Sequence, residues 1–275
     1  RFCFKKILIT GGLGFIGSNL AEALLAEGGE VVVLDDLSTG KKENIMPFLG
    51  NEKFTFIEGT VADFGPCARA CEGVDYVFHE AAVVSVPLSI DDPVRTHEIN
   101  VTGSANLFLA ARNAGVKRVV MASSTSVYGD SEQLPNVETM PLRPLSPYAA
   151  SKAAGEMFAS AYSEVYDISI ICLRYYNVFG KRQDPSSAYA AVIPVFIAGL
   201  LRGERPVIFG DGNQTRDFVY IDNVVQANIR AARFAGKEAS GRAFNIGCGA
   251  SISINGLYRI IAHELGSGLE PRYAS

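Results

Sequence analysis

"KKILITGGLGFIGSNLAEALL", residues 5–25, decides how this chain folds. The run "KKILIT" (5–10) is short and apolar on both faces, which predicts a buried strand. Residues 15–27 carry a helical pattern. Between the two stand Gly11, Gly14 and Gly17, spaced G-x-x-G-x-x-G rather than G-x-G-x-x-G. Small residues at a strand-to-helix turn let backbone N–H groups approach a pyrophosphate, whose charge the helix N-terminus favours. No G-K-[ST] follows the glycines, which excludes a Walker A loop.

Outward from this turn, "EVVVLD" (30–35), "KFTFIE" (53–58), "DYVFHE" (75–80), "KRVVMAS" (117–123) and "DISIICLRY" (167–175) predict further strands. Helical patterns lie between them, notably over 94–115. Such alternation predicts an α/β protein with a right-handed, doubly wound parallel sheet of the Rossmann type over residues 1–176. Beyond that the turn-rich stretches "FGKRQDPSSAY" and "FGDGNQTRDFVY" separate helical patterns at 190–203 and 222–236, so 177–275 is expected to form a smaller lobe. Asp35 ends the second strand, 18 positions after Gly17. A carboxylate there accepts both ribose hydroxyls of an adenosine and repels a 2′-phosphate, favouring NAD over NADP.

Composition narrows the partners. Of 275 residues, 48% are hydrophobic and 20% charged, the balance of a soluble globular protein. A net charge of −4 leaves no basic excess to neutralise nucleic acid, so any phosphate must be gripped locally. No apolar run approaches the roughly 20 residues of a membrane span. The start "RFCFKKILIT" leads straight into the strand, so no signal peptide is expected. Cys3, Cys67, Cys71, Cys172 and Cys248 form no C-x-x-C pair, and no histidine lies near Cys67 and Cys71 in sequence. Reduced thiols in a cytoplasmic protein, and no metal site, are expected.

A second constellation is "SPYAASK" (146–152). Tyr148 and Lys152 stand one helical turn apart on one face. Alanines at 149, 150, 153 and 154 favour the helix, Pro147 suits its first turn, and Ser146 suits its cap. The fifth strand runs into "ASSTSVYGD" (122–130), bringing hydroxyls at Ser123–Ser126 to the carboxyl end of a central strand, where packing needs none of them.

With these motifs in order, the chain resembles the extended short-chain dehydrogenase/reductases, specifically nucleotide-sugar 4-epimerases of the UDP-galactose and UDP-N-acetylglucosamine type. The resemblance continues through "LRYYNVFGKRQDP" and "GNQTRDFVYIDN" to "FNIGCGASISI", nearly the whole chain. It implies that Tyr148 takes the proton of the sugar 4-hydroxyl while C4 gives hydride to NAD, with Ser124 relaying that proton and Lys152 holding the nicotinamide ribose. A tyrosine acting as a base near neutrality needs its pKa lowered by roughly 3 units, about 4 kcal/mol. An ammonium about 6 Å away in an effective dielectric near 20 contributes roughly 2 to 3 kcal/mol, and NAD⁺ is expected to add the rest.

The resemblance also implies cofactor contacts from the backbone of Phe15 and Ile16, from the ribose turn Asp35, Asp36 and Leu37, from Ala81, Ala82 and Val83, and from Tyr175 beside the nicotinamide. Thr60-Val61 stands where such proteins carry Asp-Ile or Asp-Val at the adenine, so one hydrogen bond to the adenine amino group is expected to be lost. On the sugar-nucleotide side it implies Asn177 and Arg216 on the diphosphate, a guanidinium fork suiting two phosphate oxygens. A surface arginine paired to Asp217 is the plainer alternative. Ser85 and Ser89 match a loop near the hexose, and Ala191 and Val192 fall in a stretch resembling epimerases of N-acetylated hexoses.

Similar dehydratases carry Asp-Glu in place of Thr125-Ser126, and decarboxylases commonly carry Glu at Ser126; neither carboxylate is present. A UDP-hexose 4-epimerase is therefore expected, with a UDP-glucuronate epimerase or decarboxylase, or a non-catalytic NAD sensor, as alternatives. Such proteins continue past a segment like "LEPRYAS" into terminal helices, so the substrate lobe is expected to be incomplete at its C-terminus. A homodimer pairing the 94–115 and 148–166 helices is expected as well.

Overall fold

The computed structural model describes residues 5–131, 133–185 and 191–274. Cys3, and residues 186–190 of the stretch likened to N-acetylhexose epimerases, lie outside them.

The described residues form thirteen strands and nine α-helices. In chain order these are β1 (Lys6–Thr10), α1 (Phe15–Ala26), β2 (Glu30–Asp35), β3 (Phe54–Glu58), α2 (Phe64–Ala70), β4 (Tyr76–His79), α3 (Val86–Asp91), α4 (Pro93–His97), α5 (Gly103–Asn113), β5 (Arg118–Ser124), α6 (Pro147–Tyr166), β6 (Ile170–Tyr175), β7 (Asn177–Phe179), α7 (Val192–Leu201), β8 (Val207–Phe209), β9 (Thr215–Arg216), β10 (Phe218–Tyr220), α8 (Ile221–Arg233), β11 (Ala243–Ile246), β12 (Ile252–Ser253), α9 (Ile254–Glu264) and β13 (Arg272–Ala274). A π turn over Glu98–Thr102 joins α4 to α5, so the helix expected over 94–115 is continuous but locally widened.

Seven strands form one sheet in the order β11-β6-β5-β4-β1-β2-β3, every pair parallel. Strand order reverses at β1, whose neighbours are β4 and β2, and in open α/β sheets this switch point receives ligands at the carboxyl ends of the strands. The core explains why these strands read as continuous apolar runs. Ile7, Leu8, Ile9, Val31, Val33, Val77, Val119 and Ile170 are fully buried, each side chain contributing about 1.5–3 kcal/mol by leaving water.

The chain divides into two compact units. The first runs through Tyr175 and takes in Asp222–Ile246; the second comprises Tyr176–Ile221 and the segment from Gly247. The return over 222–246 was not foreseen, and two contacts account for it. Strand β11 pairs with β6, Ala243 opposite Cys172 through Ile246 opposite Tyr175. Buried Arg118 donates to the carbonyls of Ala231 and Phe234 at the end of α8, groups a helix C-terminus leaves unpaired.

The second unit has its own core of Ile193, Phe196, Leu200, Ile208, Ile254, Leu257, Tyr258 and Ile261 under α7 and α9. Its strands are short pairs: β10 with β7, β12 with β9 and β13 with β8.

Candidate functional site

At the end of β1 the glycines do what their spacing suggests. Gly11 sits at φ +67°, and a Cβ there would lie 2.7 Å from the Ala81 amide nitrogen, at the exit of β4. A Cβ on Gly17 would lie 2.3 Å from the Gly11 carbonyl oxygen. Any side chain at either place closes the turn. Gly14 is the N-cap of α1 and supplies no side chain to cap it, so the helix start is open to an anion.

Asp35 closes this cradle at the end of β2. Its carboxylate accepts the amides of Leu13 and Leu37, both at 2.9 Å. Burial pushes its pKa up against the lowering effect of those two bonds. Two amides leave further lone pairs for ribose hydroxyls. Leu37 takes a left-handed φ of 61°, which turns the chain at this carboxylate. Exposed Asp36 accepts the Ser38 amide. Farther along the sheet edge, Thr60 uses its hydroxyl to accept the Ala62 amide at 3.2 Å. The Val61 side chain is buried in the core, so only its backbone is left for a ligand. The amide of Ala81 donates to Thr10. Both backbone groups of Val83 are gripped by Asn100 from the π turn, at 2.8 and 3.0 Å.

Ser124 ends β5, directly opposite Tyr175 on β6. Helix α6 opens as expected, Pro147 in its first turn and Ser146 accepting the Ala149 amide at 3.1 Å. Ser89, buried, accepts the Tyr148 amide at 3.0 Å and donates to Val86, so its hydroxyl serves α6 rather than a sugar. Ser85 likewise caps α3 through the Leu88 amide.

Ser124 is near enough to the Tyr148 phenol to lower its pKa, and Lys152, buried, donates to the Ala122 carbonyl at 2.8 Å. Groups besides Lys152 also bear on the Tyr148 phenol. Burial raises the phenol above its ordinary pKa of 10, Ser124 pulls it down, and the carboxylate of Glu80 pushes it up again. Lys152 itself is lowered to about 8, chiefly by burial.

Three buried or half-buried polar groups around these residues escaped sequence reasoning. Glu80, one residue past β4, accepts the Tyr175 hydroxyl at 2.9 Å. Asn100 pins the strand exit, as described above. Glu156, one turn after Lys152, forms a buried pair with Arg174 at 2.6 Å and accepts Ser123. Arg174 also donates to the Tyr128 hydroxyl at 2.7 Å. The i+4 spacing from Lys152 was visible for Glu156. For Glu80 the signal was a carboxylate ending an otherwise apolar strand.

In the second unit Asn177 and Arg216 are both exposed. Asn177 donates to the Asp217 carbonyl at 3.2 Å. Arg216 donates to the Thr215 carbonyl, while the Asp217 carboxylate takes the amides of Cys248 and Gly249. Ala191 is the N-cap of α7 and Val192 its first residue. Cys67, Cys71 and Cys172 are buried thiols, the first two pushed up to about 12 by desolvation. Among the described residues, no cluster suited to a metal ion occurs, and no helix is long and apolar enough to cross a membrane.

The uncapped helix start, the two glycines without room for a side chain and the Asp35 carboxylate fit a dinucleotide. Comparison with known proteins agrees. A family model described as the NAD dependent epimerase/dehydratase family matches residues 7–247. The UDP-glucose 4-epimerase of Mycolicibacterium smegmatis is 43% identical, over 98% of this chain and 85% of its own length. Among solved structures, a UDP-N-acetylglucosamine 4-epimerase from Methanobrevibacter ruminantium in complex with UDP-N-acetylmuramic acid superposes with a TM-score of 0.94 at 40% identity, covering 100% of this chain and 86% of that one. A UDP-glucose 4-epimerase from Thermotoga maritima with UDP-glucose gives 0.91 at 37%, covering 98% and 85%. The chain belongs to the NAD-dependent epimerase/dehydratase family, as an extended short-chain dehydrogenase/reductase of the nucleotide-sugar epimerase kind.

Proposed function

We propose that this protein is an isomerase that inverts C4 of a UDP-hexose through a 4-keto intermediate, with UDP-glucose/UDP-galactose or UDP-N-acetylglucosamine/UDP-N-acetylgalactosamine as the substrate pair. The observation that carries this reading is the grouping of Ser124, Tyr148 and Lys152 at one sheet end, with hydroxyls rather than carboxylates at Thr125 and Ser126. Redox-neutral inversion needs one group that takes a proton and returns it, and this set supplies it. Elimination or decarboxylation is not favoured, because positions 125 and 126 lack the acid and base.

In this reading Tyr148 removes the proton of the 4-hydroxyl with Ser124 beside it as relay, and the same pair returns it after the ketone has turned. Bound NAD supplies the hydride acceptor and donor, and its positive charge favours the phenolate. The Ala122 carbonyl fixes the Lys152 ammonium at the base of the site. The first unit is assigned the cofactor through Gly11, Gly14, Phe15, Ile16, Gly17, Asp35, Asp36, Leu37, Thr60, Val61, Ala81, Ala82, Val83, Tyr148, Lys152 and Tyr175. The second is assigned the sugar nucleotide, with Asn177 and Arg216 on the diphosphate and Ala191 and Val192 beside the sugar. Ser85 retains a place near the hexose through its backbone.

A cytoplasmic homodimer completes the reading. Val94 on α4 and Met157, Phe158, Val165 and Tyr166 on α6 are large apolar side chains left exposed, which supports helix-to-helix pairing of two copies. Sedimentation equilibrium showing a monomer at micromolar concentration removes that part.

Separate incubation with UDP-glucose, UDP-N-acetylglucosamine and UDP-glucuronate, followed by NMR at C4, tests the main reading. Inversion of at least one of the first two is expected. Tight NAD binding without inversion of any would make the protein a sensor instead.

A further inference from the structure

The exit of β4 carries a carboxyl group to which the reaction assigns no part. Glu80 follows His79, which lies opposite Met121 of β5 and opposite Thr10 of β1. Glu80 is therefore level with Ala122, the residue whose carbonyl holds the Lys152 ammonium. Its side chain is half-buried and accepts the Tyr175 hydroxyl at 2.9 Å. Tyr175 is in turn fixed from α8, where fully buried Asn228 donates to the phenol oxygen at 2.7 Å. That amide fills the acceptor side of the phenol and directs its proton to Glu80. A carboxylate placed by two successive hydrogen bonds, beside a buried ammonium and a phenol that must ionise, is more than a strand-end charge.

We propose that Glu80 is a positioning residue of this site: its carboxylate, held by Tyr175, sets the pH at which Tyr148 ionises and Lys152 remains protonated. This rests on the reading of Tyr148 as the proton-transferring group.

The surroundings support the assignment. Burial raises Glu80 to about 7, while Tyr175 and Lys152 draw it down. The carboxylate thus changes charge in the range where a general base works best. From α6 it faces Lys152 and Tyr148, and raises the pKa of both. From β6 it faces Tyr175, held far above its ordinary value by burial and by this same carboxylate. Cys172 on β6 and Glu156 on α6 act on Lys152 as well, but burial keeps the thiol neutral and Arg174 pairs the carboxylate. His79 on β4 is buried, bonded to Thr10 and Ser104, and lowered to about 3, so it stays neutral. Glu80 is then the carboxylate on this face whose state varies near neutrality, beside Lys152 at about 8.

The sign follows from Coulomb's law. A negative Glu80 disfavours the phenolate and favours the ammonium. Glu80→Gln keeps an acceptor for Tyr175 and removes the charge, so Tyr148 ionises at lower pH and Lys152 deprotonates at lower pH. Both limbs therefore move to lower pH when the charge is removed.

The test compares wild type, Glu80→Gln, Tyr175→Phe and Tyr148→Phe, each loaded with NAD. The first readout is the pH profile of kcat/KM for C4 inversion. The second is a pH titration of near-ultraviolet phenolate absorbance, taken as the difference from Tyr148→Phe. Both limbs of the profile and the absorbance midpoint are expected to move to lower pH in Glu80→Gln. Tyr175→Phe moves them the same way, because Glu80 without its donor stays protonated to higher pH; this variant also decides the matter if Glu80→Gln does not fold. Midpoints that stay at the wild-type pH while activity or stability falls would show a purely structural role and overturn the proposal, as would a shift to higher pH. The absorbance titration needs no sugar. Failure of every UDP-hexose in the wild type would therefore sink the substrate reading and still leave Glu80 decided.

Discussion

The two units of this chain hold their functional side chains in opposite ways. In the first, Tyr148, Lys152, Asp35 and Tyr175 sit at the carboxyl ends of a seven-stranded sheet or on α6, and each is held by hydrogen bonds to backbone or to buried partners. In the second, Asn177 and Arg216 stand exposed on strands of three and two residues. On the proposed reading, the contrast follows from what each unit would do. Moving a proton needs charges placed in advance in a medium of low dielectric. Gripping a diphosphate needs only that a mobile, hydrated fork exchange water for phosphate oxygens.

Substitutions can break that contrast or sharpen it. The largest effect is expected for Tyr148→Phe, with turnover down about 10²- to 10⁴-fold and bound NAD unchanged, read by NMR of C4 inversion. A near-wild-type rate would remove the mechanism. Next is Glu156→Ala, which leaves Arg174 as an uncompensated buried charge and costs about 3–5 kcal/mol in denaturant unfolding. A smaller change belongs to the second unit. Arg216→Ala is expected to raise KM about 10- to 100-fold with kcat little altered, the size of one or two charge-assisted hydrogen bonds. An equal fall in kcat would show that the exposed arginine acts on the transition state.

Ser89→Ala removes the acceptor of the Tyr148 amide and should cost about 0.5–2 kcal/mol, the usual range for a helix cap, measured by thermal unfolding. Smallest of all is Arg202→Ala. It breaks an exposed pair with Glu204 in the second unit and should change stability by less than about 1 kcal/mol. A large loss there would erase the distinction between the units.

Much of this was legible in the chain itself, for physical reasons that also mark the limit. Strands β1, β2, β4, β5 and β6 are buried on both faces, so they announce themselves as short apolar runs; β2 spans Glu30–Asp35, as read. Tyr148 and Lys152 were legible because helical geometry is local. Strand β11 was missed because "AFNI" is four residues long and only partly buried, so it carries neither alternation nor an apolar run. The bond from the Tyr148 amide to the Ser89 hydroxyl was not legible because the partners are 59 residues apart, which no local pattern encodes. Desolvation of Tyr148, the leading influence on its phenol here, was not legible because a pairwise reading of neighbouring charges does not contain it.

The pairing of β11 with β6 reaches beyond the finished molecule. A ribosome delivers β6 long before residues 243–246, and in that interval the parallel sheet ends in an unpaired edge. A fragment cut at residue 176 would keep that edge for good, and would be expected to stick to itself. The nascent chain must make its entire second-unit excursion as far as Ile221 before the first unit can close, so order of synthesis and order of completion do not coincide here.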